Sequence, residues 1–182
     1  MGSRRRQVLG IYSDDAVLAW VGPIGLALAA GTALIVDVRP DSRSRSGTLA
    51  DLMAEGPRLN DLSPGRRGIA HIDSGVMEPN DLYGAIETLA GRWPALVVRS
   101  DGGRLWQGPT VPYRPVLPGL LMERHPTPSA WQLTSGTGIR ALPGPVLPRL
   151  GRRSVVAMLE GRLPVGRRWV SAWQPIWDMP WA

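Results

Sequence analysis

The sequence contains no lysine, no cysteine and no phenylalanine. Without cysteine there is no disulfide, no thiolate metal ligand and no thiol nucleophile. That usage agrees with a reducing compartment. Without phenylalanine, the core must be built from Leu, Val, Ala, Ile and the eight tryptophans. Without lysine, all 21 basic side chains are arginine, set against 15 acidic ones for a net charge of +6. This balance admits an acidic partner such as nucleic acid, lipid headgroups or an acidic protein, and does not choose among them. A GC-rich coding sequence would enrich Ala, Gly, Pro and Arg together, which accounts for the arginine excess without any partner.

Histidine is nearly as scarce. His71 sits in a strand pattern with Ile69 and Ile72, where a half-buried, hydrogen-bonded side chain is expected rather than a ligand. His125 precedes Pro126 in a loop. There is no Ser-His-Asp spacing and no Gly-x-Ser-x-Gly, so hydrolase chemistry has no basis here. Long apolar runs are also lacking. The longest, Ala16 to Val38, is broken by Gly22, Pro23, Gly25 and Gly31 and divides into a helix and a strand, so no transmembrane segment is expected. Arg4-Arg5-Arg6 is followed by Asp14-Asp15 and no small-residue cleavage site, so no cleavable leader is expected either.

What is present is organised around residues 7–39. An apolar run, Val8 to Ser13, is followed by an acidic pair, by Val21-Gly22-Pro23-Ile24-Gly25, by a small-residue helix over Leu26–Ala30, and by Thr32 to Asp37. That pattern reads strand, loop, helix, buried strand ending in a carboxylate, which is a βαβ unit. Further along, a short helix is predicted over Thr48–Glu55 and a strand over Gly68–Asp73. A helix capped by Asn80 runs to about Arg92, and a strand covers Ala95–Arg99. Strands alternating with helices predict an α/β fold, a mostly parallel sheet with helices on both faces. Residues 1–6 read as a basic tail, 7–135 as the α/β domain, and 136–182 as a Pro/Arg/Trp-rich extension that packs on the core or docks a partner. In the second half, strands are predicted at Val111–Leu117 and Ala130–Thr134, and helices at Arg153–Glu160 and Arg167–Trp173.

The first hundred residues resemble the MinD/ParA family of deviant P-loop ATPases, including its CpaE/TadZ-like members. Ile11-Tyr12-Ser13 matches the end of the first strand, and Val21 to Gly25 stands where the family has Val-Gly-Lys-Thr-Thr. Leu34 to Asp41 matches the second strand and its exit, and Ala95 to Val98 matches the Walker B strand, with Arg99 or Ser100 in place of an Asp. A P-loop surrounds phosphates with backbone N–H groups and a Lys, and holds Mg²⁺ through a Ser/Thr hydroxyl. Here Pro23 stands at the Lys position and Ile24 at the Ser/Thr position, while Asp14 and Asp15 bring negative charge to the loop entrance. The degenerate loop Gly22, Pro23, Ile24, Gly25 is therefore expected to hold no nucleotide, and no cofactor or catalytic residue is assigned.

The resemblance implies a non-catalytic pseudo-ATPase, cytoplasmic and in part peripheral at the membrane. Such a chain would act as a scaffold or localisation factor in a bacterial assembly such as a pilus, cell-pole or septum system. Its partners would be a related active ATPase, a membrane-associated complex or a second copy of itself. The surfaces expected to bind are the loop with Arg39, Arg43 and Arg45, and a tail with Arg167, Arg168, Trp169, Trp173, Trp177 and Trp181. For the four tail tryptophans the other reading is that they fold back and cap the sheet as bulky core in place of the absent phenylalanine. Two other functions stay open: a small basic nucleic-acid-binding protein, and a metal-dependent enzyme using the strand-end residues Asp37, Asp73 and Asp101. Thr134 to Gly138 reads as a tight turn or an anion nest.

Overall fold

The computed structural model describes residues 7–39, 47–56, 62–64, 68–99, 119–124, 130–135, 143–160, 162 and 166–178. Seven strands form one sheet in the order β3-β2-β4-β1-β5-β6-β7. They are β1 (Gln7–Tyr12), β2 (Ala33–Asp37), β3 (Ile69–Asp73), β4 (Ala95–Arg99), β5 (Gly119–Arg124), β6 (Ala130–Ser135) and β7 (Pro143–Pro148). The first five run parallel, and β6 and β7 continue the sheet as antiparallel strands. The helices are α1 (Leu18–Ala30), α2 (Leu49–Ala54), α3 (Pro79–Ala90), α4 (Arg152–Leu159) and α5 (Arg167–Asp178).

The period-two alternation of the strands divides the interior into two cores. On one face Leu9, Ile11, Ala33, Ile35, Ala95 and Val97 meet α1 and α5. On the other, Leu34, Val36, Leu96 and Val98 meet Leu49 of α2 and Leu82, Ile86 and Leu89 of α3. The crossover from β1 to β2 and that from β3 to β4 travel in opposite directions along the sheet. A right-handed crossover then places their helices on opposite faces, as seen. All residues of β2 and β4 are buried, as expected for central parallel strands covered on both sides.

The structure changes the reading of the first βαβ unit. Helix α1 begins at Leu18, so Val21 to Gly25 is not a loop but the second turn of a helix, with Pro23 inside it. The helix is apolar nearly all round because it lies between the sheet and α5. Its glycines allow that burial. A Cβ on Gly22 would stand 2.8 Å from Ile11 Cδ1 and 3.0 Å from Met122 Sδ, and one on Gly25 only 2.4 Å from the Trp173 indole. Pro23 supplies no N–H to the helix ladder, a loss the surrounding packing must offset.

Of the four tryptophans open to two readings, the three within the described residues fold inward. Trp169, Trp173 and Trp177 are buried in the α1-side core, and Trp177 Nε1 donates to the Leu26 carbonyl at 2.9 Å. Trp169 and Trp173 meet edge to face with ring centroids 5.3 Å apart. Helix α5 continues through Pro175 to Asp178, five residues beyond the expected end at Trp173. β7 joins the sheet, and β7, α4 and α5 each place side chains in the α1-side core, so these elements of the extension pack on the core.

Other boundaries shift modestly. Helix α3 starts at Pro79 with Glu78 as N-cap, not at an Asn80 cap, because proline suits the first turn of a helix. The strand expected at Ala130–Thr134 is β6, whereas the one expected at 111–117 and most of the turn at 134–138 lie outside the described residues. Strands β5 and β7 carry no clear alternation and were not anticipated. β7 contains Pro143, Pro145 and Pro148, and it lies at the sheet's edge, where lost donors are tolerated. Thr48 and Asp51 form a reciprocal capping box on α2, which holds the Asp51 carboxyl below its ordinary pKa through hydrogen bonds from Thr48.

Three substitutions test this packing. Gly25→Ala is expected to lower stability by about 1–3 kcal/mol through overpacking against Trp173. Gly84→Ala, at an exposed α3 position with open space around it, should raise stability by about 0.5–1 kcal/mol. Denaturant unfolding of both variants reads the contrast in sign. Thr48→Ala should cost about 1 kcal/mol at neutral pH. Because the Asp51 pKa is depressed in the folded state, its contribution is present above the unfolded value and is lost as pH falls through the folded one. The gap between Thr48→Ala and the parent should therefore narrow on acidification.

Candidate functional site at the carboxyl ends of the parallel strands

In an open parallel sheet the ligand crevice lies outside the carboxyl ends of the strands. Strand register decides which side chains meet there. Asp37 of β2 pairs in register with Arg99 of β4 on one side and with Asp73 of β3 on the other. Two residues earlier, Ile35 and Val97 point into the α1-side core, so by the same alternation Asp37 and Arg99 face α1 as well. His71 pairs in register with Ile35, one step back along β3.

The pair Asp37–Arg99 is almost wholly buried, each residue 1% exposed, with Arg99 Nη1 donating to Asp37 Oδ2 at 2.5 Å. The Arg99 guanidinium lies 3.8 Å from the centroid of the Trp20 indole, which comes from the first turn of α1. A desolvated cation over an indole face gains roughly 2 kcal/mol or more. The other oxygen, Asp37 Oδ1, accepts from the Arg39 backbone N–H at 3.1 Å and from Arg39 Nε at 3.2 Å. The Arg39 guanidinium also lies 5.9 Å from the Trp20 ring. The His71 and Trp20 ring centroids are 5.9 Å apart, and His71 Nε2 lies 3.8 Å from Asp73 Oδ1. Trp20, 37% exposed, is thus the cover of a charged cluster.

Next to this cluster the amino end of α1 is already occupied by the chain itself. Asp15 Oδ1 accepts from the backbone N–H groups of Val17 and Leu18, at 2.9 and 3.0 Å. A carboxylate here satisfies the orphan donors and the positive end of the helix dipole. That is where a phosphate would otherwise bind. Asp14 alongside it accepts from the Tyr12 hydroxyl.

Of the strand-end acids, Asp37 and Asp73 come together with His71, their ligand atoms within 4.8 Å of one another, and Asp101 lies outside the described residues. Residue types suit a divalent ion, but the charges do not. Both Asp37 oxygens are taken by arginines, so an ion bound there would face a guanidinium at close range, taken as roughly 4 Å. At an effective dielectric near 20, unit charges at that distance repel by about 4 kcal/mol, and a divalent ion by twice as much. Neutralisation by arginine therefore outweighs metal ligation as the role of Asp37.

Among the expected partner-binding residues, Arg39 joins this cluster. Arg167 and Arg168 are exposed at the start of α5, while Trp169, Trp173 and Trp177 are interior. Arg43, Arg45 and Trp181 lie outside the described residues. The degenerate-loop residues Gly22, Pro23 and Gly25 are buried in α1, with Ile24 partly so. Reasoning from sequence missed Trp20, read Asp15 only as negative charge at the loop entrance, and read Arg99 only as a replacement for an Asp rather than as a partner of Asp37. A charge ending an otherwise fully apolar strand was the available signal for Arg99.

No helix among the described residues is long and apolar enough to cross a membrane. Comparison of the chain with models of protein families, with curated proteins and with solved structures finds no match in any of the three.

Removing one partner of a buried ion pair strands the other charge. Arg99→Met is expected to destabilise the fold by about 3–5 kcal/mol, and adding Asp37→Asn should restore most of that loss. A double-variant loss equal to the sum of the losses in Arg99→Met and Asp37→Asn alone would mean that the two side chains are not coupled. Denaturant unfolding at neutral pH measures all three variants.

Proposed function

We propose that this chain is a non-catalytic, P-loop-like α/β protein of the MinD/ParA kind that works by binding other proteins. It is a cytoplasmic scaffold or localisation factor, in part peripheral at the membrane, for a bacterial assembly such as a pilus, cell-pole or septum system. The observation that carries the reading is the occupied amino end of α1. Asp15 accepts from the N–H groups of Val17 and Leu18, and Val21 to Gly25 lies within the helix rather than in an open loop. A polyphosphate arriving there would meet the carboxylates of Asp14 and Asp15 instead of a cradle of donors. With no phosphate chemistry to perform, the retained fold offers surface and rigidity.

Isothermal calorimetry with MgATP and with MgADP tests this. No saturable heat is expected; saturable binding in the micromolar range would overturn the reading. The grouping of Asp37, His71 and Asp73 favours one rival, a metal-dependent enzyme. Thermal melts with Mg²⁺ or Mn²⁺ are expected to be superimposable on the melt without metal, since Arg39 and Arg99 already neutralise Asp37. A rise of several degrees would favour the rival.

A further inference from the structure

Between Arg149 and Arg168 the chain carries six arginines and one glutamate. Most of that charge lies on or beside α4. Arg152, Val156 and Leu159 recur at i, i+4 and i+7, so they form one stripe, with Arg153 on its flank. On the opposite side Ala157 and Met158 are buried, Met158 in the α1-side core, which settles that the stripe faces outward. Val156 is 42% and Leu159 50% exposed, and Arg152 and Arg153 are exposed too. The one acidic group, Glu160, is already paired with Arg162.

Folding does not explain this placement. Arg152 and Arg153 occupy the first turn of α4, where the helix dipole repels cations. No acidic residue stands in that turn, and Gly151 provides no side-chain cap. Among the described residues neither arginine has an ion-pair partner. Two uncompensated cations beside two solvated aliphatic side chains therefore face outward at a local cost.

We infer that the outer face of α4 is a docking surface for an acidic amphipathic helix of a partner protein, one with aliphatic residues on its contact stripe and carboxylates on either side. The occupant follows from charge and shape. The i, i+4, i+7 spacing is that of helix-on-helix contact, and arginine beside exposed aliphatic side chains is a usual make-up of a protein interface. Nucleic acid fits worse, because Val156 and Leu159 make up the carboxyl-terminal half of the face, where phosphates or bases would need donors or rings. A lipid surface also fits worse, because the neighbouring indoles that would anchor it, Trp169, Trp173 and Trp177, are buried in the core. The inference deepens the scaffold reading and rests on it for the partner being a protein. It has its own test, since peptide binding and nucleotide binding are measured separately.

The probe is a fluorescent helical peptide with leucine along one face and glutamate elsewhere, titrated with the intact chain. Three variants accompany it: Arg152→Glu with Arg153→Glu, Val156→Ser with Leu159→Ser, and the conservative Arg152→Lys with Arg153→Lys. Saturable binding is expected, weakened at least about tenfold by charge reversal and about fivefold by the serine pair, and largely kept by the lysine pair. Near-ultraviolet circular dichroism of the buried tryptophans should be the same in all variants, since every altered side chain is exposed. Peptide binding that is absent, or unchanged by the first two variants, overturns the inference. So does tighter binding of phosphatidylglycerol vesicles or duplex DNA that the same charge reversal abolishes.

Discussion

The structure depends on burying α1 from both sides. A helix against a sheet ordinarily keeps one polar face for water, and this one has almost none, because α5 lies on its outer side. The close approach is set by glycine at Gly22 towards the sheet and at Gly25 towards Trp173. It also explains why a proline persists within the helix, since tertiary packing rather than the hydrogen-bond ladder holds α1 in place. Trp173 and Trp177 supply the bulk that phenylalanine would supply elsewhere.

That burial governs the chemistry at the carboxyl ends. Once α1 is drawn down onto the sheet, its first turn brings Trp20 over Arg99, and the Asp37–Arg99 pair is cut off from water. In such a place a cation and an anion are each expensive, and the pair is helped by the indole above Arg99 and by Arg39 on the second carboxylate oxygen. The arrangement is inward-looking. The Asp37 carboxylate is met by Arg99 on one oxygen and Arg39 on the other, and Asp15 meets the donors of the helix terminus.

Much of the first half was legible from sequence because its signals are local. Short apolar runs bounded by turn residues located β1 to β4, and the spacing of Leu82, Ile86 and Leu89 gave the buried side of α3. The start of α1 was not legible. Glycine and proline at 22–25 imitate a loop, and only the contacts with Ile11, Met122 and Trp173 explain them within a helix. The pairing of Arg99 with Asp37 was missed for a similar reason: its partner is 62 residues away, and the register that joins them is a property of the assembled sheet. The inward turn of the α5 tryptophans depended on a groove formed by distant segments, which periodicity alone cannot reveal.

The two ends of the sheet are not alike. At one end β3 has a full set of backbone donors; at the other, three of the six residues of β7 are prolines and have none. A foreign strand seeking to extend the ladder beyond β7 meets an interrupted row of hydrogen-bonding groups, and growth by strand addition stops there. Association on that side of the molecule is left to side chains carried by helices, which can be exchanged by mutation without altering the backbone that displays them.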